Sequence, residues 1–305
     1  MPGKPLISII VPNYNGAATL ELTLRSVLEQ DYPAVELLVV DGGSSDASVE
    51  IIRGFADRIA WWVSEKDRGQ SDAINKGFAR ATGEVVNWLC SDDLLEPGAL
   101  SVVAESFTAD PHLDVLAGAA RHRRIDADLA SSASHPTLAG IRGMPLSNVI
   151  PQPACFYRRR LLDRNPPLDE SLHYTMDLEL WCYFNSMGAK WSVTDRFLAT
   201  AMVDGRNKMS TGGPKIAAEM ERVYRRYITH ERVPLVTWYR RFGYPLDLWR
   251  GRHPGPITNV GVKAAKLAMC LTLAPFYGGL RRTRSVNWSA YVPSVHAGAS
   301  KHASS

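Results

Sequence analysis

Apolar and polar positions alternate in blocks along the first 120 residues, and the blocks predict short strands separated by helices. Leu6–Val11 is a continuous apolar run rich in isoleucine and closed by Pro12, the pattern of a strand buried on both faces. Thr19 then precedes Leu20, Leu24, Val27 and Leu28, which share one helical face. A second apolar run, Val35–Val40, ends at Asp41 and a Gly-Gly-Ser-Ser turn, after which Asp46 is placed to cap a helix that turns Val49 and Ile52 inward. Ile59–Val63 predicts a third strand. Gln70–Ala81 is helical, with Ile74 and Phe78 one turn apart and Gly83 ending it. Val85–Leu89 predicts a fourth strand running into Ser91-Asp92-Asp93, Pro97 opens a helix carrying Leu100, Val103 and Phe107, and Asp114–Ala119 predicts a fifth strand.

Strands alternating with helices through connections of this length imply an α/β fold with a mostly parallel central sheet flanked by helices. In such sheets ligands gather beyond the carboxyl ends of the strands, where Asp41 and the Asp92–Asp93 pair both fall. Around Ala120–Asn148 the periodicity weakens and small, polar and basic residues dominate, so a loop or lid is expected there. Structure resumes over Gln152–Thr200, with a helix over Met176–Met187 and a strand near Lys190–Val193. From about Ala217 the chain turns helical again, then becomes rich in Pro, Arg and aromatic residues. The expected division is a catalytic domain over 1–215 (a nucleotide-binding half to about 120, an acceptor half from about 121), a helical, basic-aromatic extension over 216–290, and a disordered tail over 291–305.

Composition changes this picture little. With 305 residues and 45% hydrophobic content the chain supports a large core, and a net charge of +4 does not call for nucleic acid. The clusters Arg121-His122-Arg123-Arg124, Arg158-Arg159-Arg160 and Arg225-Arg226 are expected on solvated faces. Cys90, Cys155, Cys182 and Cys270 lack the spacing of a zinc site or a disulfide framework. The N-terminal residues lack the pattern of a signal peptide, and no stretch is long and apolar enough for a confident membrane span. A cytoplasmic protein is expected.

Three acidic groups are candidates for chemistry. Adjacent carboxylates such as Asp92 and Asp93 repel unless a cation or a shared proton holds them, and a hard divalent ion prefers such oxygens; the alternative is that one of them caps the helix beginning near Pro97. Asp41 either accepts hydrogen bonds from a base or ribose or serves its own turn. Asp67–Gly77 packs polar groups around a helix start, where Asp72 and Lys76 form an i,i+4 pair or Gln70, Asp72 and Asn75 meet a nucleotide. Asp177 and Glu179, two apart on a helix, point in different directions, so only one enters a site, with Trp181 one turn after Asp177. A trapped carboxylate near an acceptor hydroxyl is what a general base requires.

In combination these segments resemble the family-two glycosyltransferases of the GT-A fold. Ile7–Asn15 resembles the family's opening strand, and Leu37–Asp46 its second signature. Asp67–Gly77 resembles the Gln/Asp–Asn–Lys–Gly segment, and Asn87–Asp93 a variant of the Asp-x-Asp metal motif. Pro151–Arg159 is similar to the acceptor-side segment, and Asp177–Trp181 to the later acidic motif. The resemblance covers about Leu6 to Gly213. It implies Pro12, Tyr14, Asn15, Asp41, Gln70, Asp72, Asn75, Lys76 and Asp92 around the nucleotide and donor sugar. It further implies Asp93 on a Mn2+ or Mg2+ ion and Asp177 as the base, with Gln152, Glu179, Trp181 and Arg206 near acceptor or diphosphate. Met176 stands where many members carry an acidic residue, which keeps Glu179 in contention with Asp177.

The expected reaction is inverting, metal-assisted transfer from a UDP-, GDP- or dTDP-linked sugar to a hydroxyl of a carbohydrate or lipid-linked acceptor. The loop around Ala120–Asn148 or the stretch Gly205–Gly213, with Arg206 and Lys208, closes over the donor in this reading. A sugar nucleotidyltransferase is the rival enzyme class, although the N-terminal Gly-rich basic loop of that class is missing. A non-catalytic nucleotide-sugar-binding protein is the non-enzymatic rival. A dinucleotide-binding dehydrogenase is disfavoured because no G-x-G-x-x-G follows the first strand. Trp238–Phe242 and Lys263–Leu280 mix aromatic, apolar and basic residues, which suits peripheral docking at the inner face of an anionic membrane or packing in a homo-oligomer.

Overall fold

The computed structural model of the chain describes residues 4–124, 130–142, 144, 148–203, 214–227, 242, 245–246, 249, 253 and 255–276. Two compact units are present, Met1–Arg142 with Val149–Asp204, and Gly143–Asn148 with Gly205–Ser305. In the first unit β1 (Ile7–Asn13) is buried along its whole length. It lies between β2 (Val35–Asp41) and β4 (Val85–Trp88), both parallel to it and in register from Ile7, which faces Val35 on one side and Val85 on the other. β3 (Trp61–Ser64) extends the parallel set beyond β2. The helices α1 (Leu20–Leu28), α2 (Ser48–Gly54) and α3 (Gln70–Arg80) make the crossovers. α3 sits unusually close to the sheet because Gly77 has no side chain: a Cβ there would stand 2.3 Å from Ile10 Cγ2.

Beyond β4 the nine-stranded sheet becomes mixed, in the order β3-β2-β1-β4-β8-β6-β9-β5 with β7 beside β6. β8 (Cys155–Arg158) runs antiparallel to both β4 and β6 (Val115–Arg124), and β9 (Trp191–Val203) runs parallel to β6. The short β5 (Asp93–Leu95) follows the Ser91-Asp92-Asp93 turn and pairs antiparallel with the end of β9, Asp93 facing Ala201. α4 (Ala99–Ala109) and α6 (Met176–Ser186) complete the unit's longer helices. One core layer joins Ile7, Ile9 and Val11 to Leu20, Leu24, Leu100 and Phe107. A second is aromatic: Trp88 stacks on Trp181 at 5.8 Å and 13°, with Tyr157 edge-on to both.

Several expectations shift. The loop foreseen over Ala120–Asn148 instead begins as five more residues of β6, paired to β9 from Ala120 opposite Ala199 to Arg124 opposite Val203. It continues into β7 (Ala130–Ser134) and α5 (Leu138–Arg142). Backbone pairing rather than apolar patterning holds this hairpin, so its sequence looked featureless. The cluster Arg158-Arg159-Arg160 is not simply a solvated face either. Arg158 is buried, donates to the carbonyls of Leu113 and Phe107, and pairs with Glu84.

In the second unit α7 (Pro214–Tyr227) buries Ile216, Met220, Val223 and Tyr224 on one stripe. α8 (Pro256–Leu273) buries only Val262, Cys270 and Leu273. Among the described residues no helix is long and apolar enough to cross a membrane. Arg206, Lys208, the Gly205–Gly213 stretch and the 291–305 tail lie outside the described residues.

Candidate active site

The carboxyl ends of β1, β2 and β4 deliver three loops to one edge of the parallel sheet. The first two are stitched together by backbone donors. Asn15 N–H donates to Ser44 Oγ at 2.8 Å, Ser45 N–H to Asn15 Oδ1 at 2.8 Å, and Ala17 N–H to Asp46 Oδ2 at 2.9 Å. Asn15 adopts φ 50°, a left-handed conformation that asparagine tolerates better than most residues. Asp46 also accepts from Ser48 N–H at the start of α2, but the helix is not capped by Asp46 as expected: its N-cap is Ala47, with no side-chain cap.

Asp41 is fully buried below this junction. Its oxygens accept from Asn13 Nδ2 at 2.7 Å, Ser44 N–H at 2.9 Å, Ser44 Oγ at 2.5 Å and Ser64 Oγ at 2.6 Å. Burial by itself would lift the Asp41 carboxyl, but the donors from Ser44, Ser64 and Asn13 outweigh it and hold it below the usual carboxylate range. Four donors fill the lone pairs of a carboxylate. Asp41 thus organises the loops from beneath. Pro12 is likewise buried inside β1, opposite Val40, and shapes the strand end. Tyr14 is 66% exposed and projects from the loop.

Asn13 is 3% exposed, and while its Nδ2 serves Asp41, its Oδ1 has no hydrogen-bond partner. Gly16 lies against it. A Cβ at Gly16 would stand 2.2 Å from Asn13 Oδ1 and 2.7 Å from Ser91 Oγ, so glycine keeps open a cradle between the β1 loop and the β4 loop. A buried acceptor without a donor is costly unless a ligand or water supplies one.

The third loop carries Cys90, Asp92 and Asp93, whose ligand atoms all lie within 4.8 Å of one another. Thr23 of α1 fixes this turn, with Oγ1 2.9 Å from both Ser91 O and Asp93 O. The cap alternative for the aspartates is not realised, because α4 begins at Ala99 behind Gly98 and has no side-chain cap. Asp93 is 8% exposed and accepts Met202 N–H at 3.3 Å. Burial first, and the charge of Asp92 second, push its carboxyl well above the usual range. Two carboxylates and a sulfur converging where burial disfavours negative charge suit a divalent cation.

The polar start of α3 has mostly structural partners. Asn75 Nδ2 donates to Leu168 O at 3.0 Å and Leu168 N–H returns to Asn75 Oδ1 at 2.8 Å. Asp72 is held by Arg68 at 2.7 Å and Lys76 at 3.5 Å, and Lys76 also meets Glu65 at 2.7 Å. The expected i,i+4 pair of Asp72 and Lys76 is formed, and Asn75, Lys76 and Asp72 anchor the start of α3 to neighbouring segments. Gln70 differs, since its Nε2 donates to Cys90 Sγ at 3.1 Å. Gln152 flanks the same sulfur, its Oε1 3.9 Å from Sγ, while its Nε2 donates to Trp88 O at 2.7 Å.

On α6, Glu179 and Trp181 are both fully buried. Glu179 pairs with Arg164 through both oxygens, and Trp181 lies in the aromatic layer. Asp177 is half-buried in the first turn of α6. Burial first, then the charge of Asp177, raises the Cys155 thiol, three residues beyond Gln152. Asn13, Thr23, Ser44, Ser64, Cys90 and Arg164 were not foreseen as parts of this region. Cys90 alone had a usable signal, its place one residue before Ser91.

This sheet, with carboxylates at the end of β4, has the fold of the GT-A transferases. The chain belongs to glycosyl transferase family 2, whose family model matches residues 8–165. It is 35% identical over 182 residues to an uncharacterized glycosyltransferase of Nostoc sp., covering 53% of this chain and 54% of that protein. To the poly-beta-1,6-N-acetyl-D-glucosamine synthase of Staphylococcus epidermidis it is 34% identical over 119 residues, 38% of this chain and 29% of the synthase. The chain thus matches about half the length, or less, of these relatives. Among solved structures, the mannosyltransferase PcManGT of Pyrobaculum calidifontis, in complex with GDP-Man and Mn2+, superposes with a TM-score of 0.60 at 20% identity, covering 95% of this chain and 87% of that one. S. aureus TarS 1-349 in complex with UDP-GlcNAc gives 0.58 at 18%, covering 93% and 89%.

Proposed function

We propose that the chain transfers a sugar from a nucleoside-diphosphate donor to an acceptor hydroxyl of a glycan or lipid-linked saccharide, by one displacement with inversion. The observation that carries this reading is the buried Asp93 beside Asp92, at the ligand edge of a family 2 sheet. The donor set fits Mn2+ or Mg2+, with Asp93 as principal ligand and Asp92 toward the ribose and sugar. When bound, such an ion neutralises charge on the departing diphosphate. The cradle at Gly16 suits a donor group of the nucleotide, which would satisfy Asn13 Oδ1, with exposed Tyr14 against the base.

Asp177 acts as the base. Its carboxylate takes the acceptor's hydroxyl proton while that oxygen bonds to the anomeric carbon, whose bond to the diphosphate oxygen breaks on the opposite face. Glu179, held by Arg164, takes no part. Isothermal titration of the protein, with Mn2+ present, against UDP-, GDP- and dTDP-sugars tests the reading, followed by assay of released nucleoside diphosphate. Tight binding of one donor class and its turnover are expected. Pyrophosphate release from a nucleoside triphosphate and sugar phosphate would instead support nucleotidyl transfer.

We further propose that the second unit docks on an anionic membrane at the cytoplasmic face. α8 leaves Ile257, Val260, Leu267 and Leu271 exposed at 89%, 67%, 41% and 54%, and helical spacing puts them on one stripe. After Asp247 the sequence holds eight Lys or Arg residues and no Asp or Glu. An apolar stripe within a cationic segment suits lipid head groups.

A further inference from the structure

We infer that Cys90 is a third donor of the Asp92–Asp93 cation centre, so that this centre takes a thiophilic divalent ion such as Zn2+, Cd2+ or Co2+ in competition with the hard ion of the transfer reaction. The inference deepens the donor-site reading above and rests on it for the position of the metal. Spacing along the chain gives no hint of such a centre, because Cys90-x-Asp92-Asp93 matches none of the Cys/His patterns that read as zinc sites. Geometry does. Cys90 Sγ and the carboxylate oxygens lie within 4.8 Å of one another. Donors around one tetrahedral ion, at roughly 2.0–2.3 Å from it, stand about 3.3–3.8 Å apart. Side-chain rotation alone covers that difference.

The sulfur is also oriented. Gln70 on α3 donates an amide N–H to Sγ at 3.1 Å, and Sγ in turn donates to the Gln152 side-chain carbonyl oxygen at 3.9 Å. Cys155, Cys182 and Cys270 are all buried, whereas Cys90 is part-exposed. Asn13 Oδ1, buried and lacking a donor, borders the same loop across Gly16 and marks this edge independently as one that awaits a ligand. On binding, the ion replaces the Sγ proton, which leaves to solvent. A sulfur donor favours Zn2+ or Cd2+ over Mn2+ beyond the general affinity order.

The test is a titration of the whole chain with Cd2+ and with Co2+, read by the thiolate-to-metal charge-transfer absorption. One equivalent of metal should develop the band in the wild-type protein. Cys90→Ser should abolish it, and Asp93→Asn should weaken binding at least tenfold, as roughly expected for loss of one charged ligand. A measurement on the unaltered protein guards against a misfolded variant: Zn2+ should slow iodoacetamide labelling of Cys90, read by peptide mass, by tenfold or more. A band that survives in Cys90→Ser, or labelling of Cys90 that Zn2+ leaves unchanged, overturns the inference. Donor titration of the same protein separates the two readings. Nucleotide-sugar binding without the band overturns the thiolate ligand alone, and the band without nucleotide-sugar binding overturns the donor site while the sulfur ligation stands.

Discussion

Arg164 and Glu179 form a two-pronged ion pair in which Arg164 Nη1 donates to Glu179 Oε1 at 2.9 Å and Nη2 to Oε2, with the Glu179 side chain fully buried. The guanidinium also stacks on Tyr183 at 4.2 Å and donates Nε–H to Pro167 O at 2.7 Å. A buried carboxylate stripped of this cation is costly. Arg164→Ala should lower unfolding free energy by about 3 kcal/mol, measured by urea titration. A loss below roughly 1 kcal/mol, the range of a surface pair, would contradict this account of α6.

Asp177, one turn-edge away from that pair, should behave in the opposite way. Asp177→Asn keeps shape and removes the proton acceptor, so turnover should fall roughly a thousandfold while the melting temperature moves little. Steady-state kinetics beside a thermal melt separate the cases. Wild-type-like turnover would remove Asp177 from its assigned role.

Metal should act through Asp93. At about a hundredfold excess over its dissociation constant, Mn2+ should stabilise the wild-type protein by roughly 2.7 kcal/mol, and Asp93→Asn should lose most of that gain. Thermal melts with EDTA and with Mn2+ give the comparison. Equal stabilisation of both proteins would place the ion elsewhere.

Asp41 predicts an acid-dependent stability. Its carboxyl is depressed in the folded state, so its contribution is fully present above the ordinary value of 3.8 and is lost as pH falls through the lower folded value. Asp41→Ala, which leaves the Ser44, Ser64 and Asn13 donors unmatched, should cost roughly 3 kcal/mol at neutral pH. Denaturant midpoints of the two proteins should converge as the pH is taken below 3.8. A gap that stays constant into acid would show that packing, not charge, is what Asp41 contributes.

Leu267→Glu with Leu271→Glu on α8 should abolish flotation on anionic liposomes and leave donor binding by the first unit unchanged. Flotation undiminished by the double variant would remove the membrane proposal.

The parallel half of the sheet was legible because β1, β2 and β4 are mostly apolar runs, each with one polar residue inside it (Ser8, Glu36 and Asn87), a signal carried by neighbours in sequence. So was the edge where chemistry gathers, since Asp41, Asp92 and Asp93 each end or closely follow such a run. The roles of individual polar residues were not legible. Asn75 and Leu168 are 93 positions apart, and Arg68 reaches Glu170 across 102. Polar residues at the start of α3 look the same in sequence whether they await a ligand or another part of the chain. Glu179 illustrates the same limit: only the fold brings Arg164 to it. Cys90 offered only its place one residue before Ser91 as a signal, because its partners Gln70 and Gln152 come from distant segments and share no spacing with it.

The reciprocal Asn75–Leu168 hydrogen bonds, joined by Arg68 and Glu170 at 2.9 Å, have one more effect. They tether the segment leading into α6 to α3, the helix that also supplies Gln70 to the cation loop. On the proposed reading, Asp177 and the cation loop are thus hung from a single frame, and selectivity among acceptors would follow from which hydroxyl fits between them.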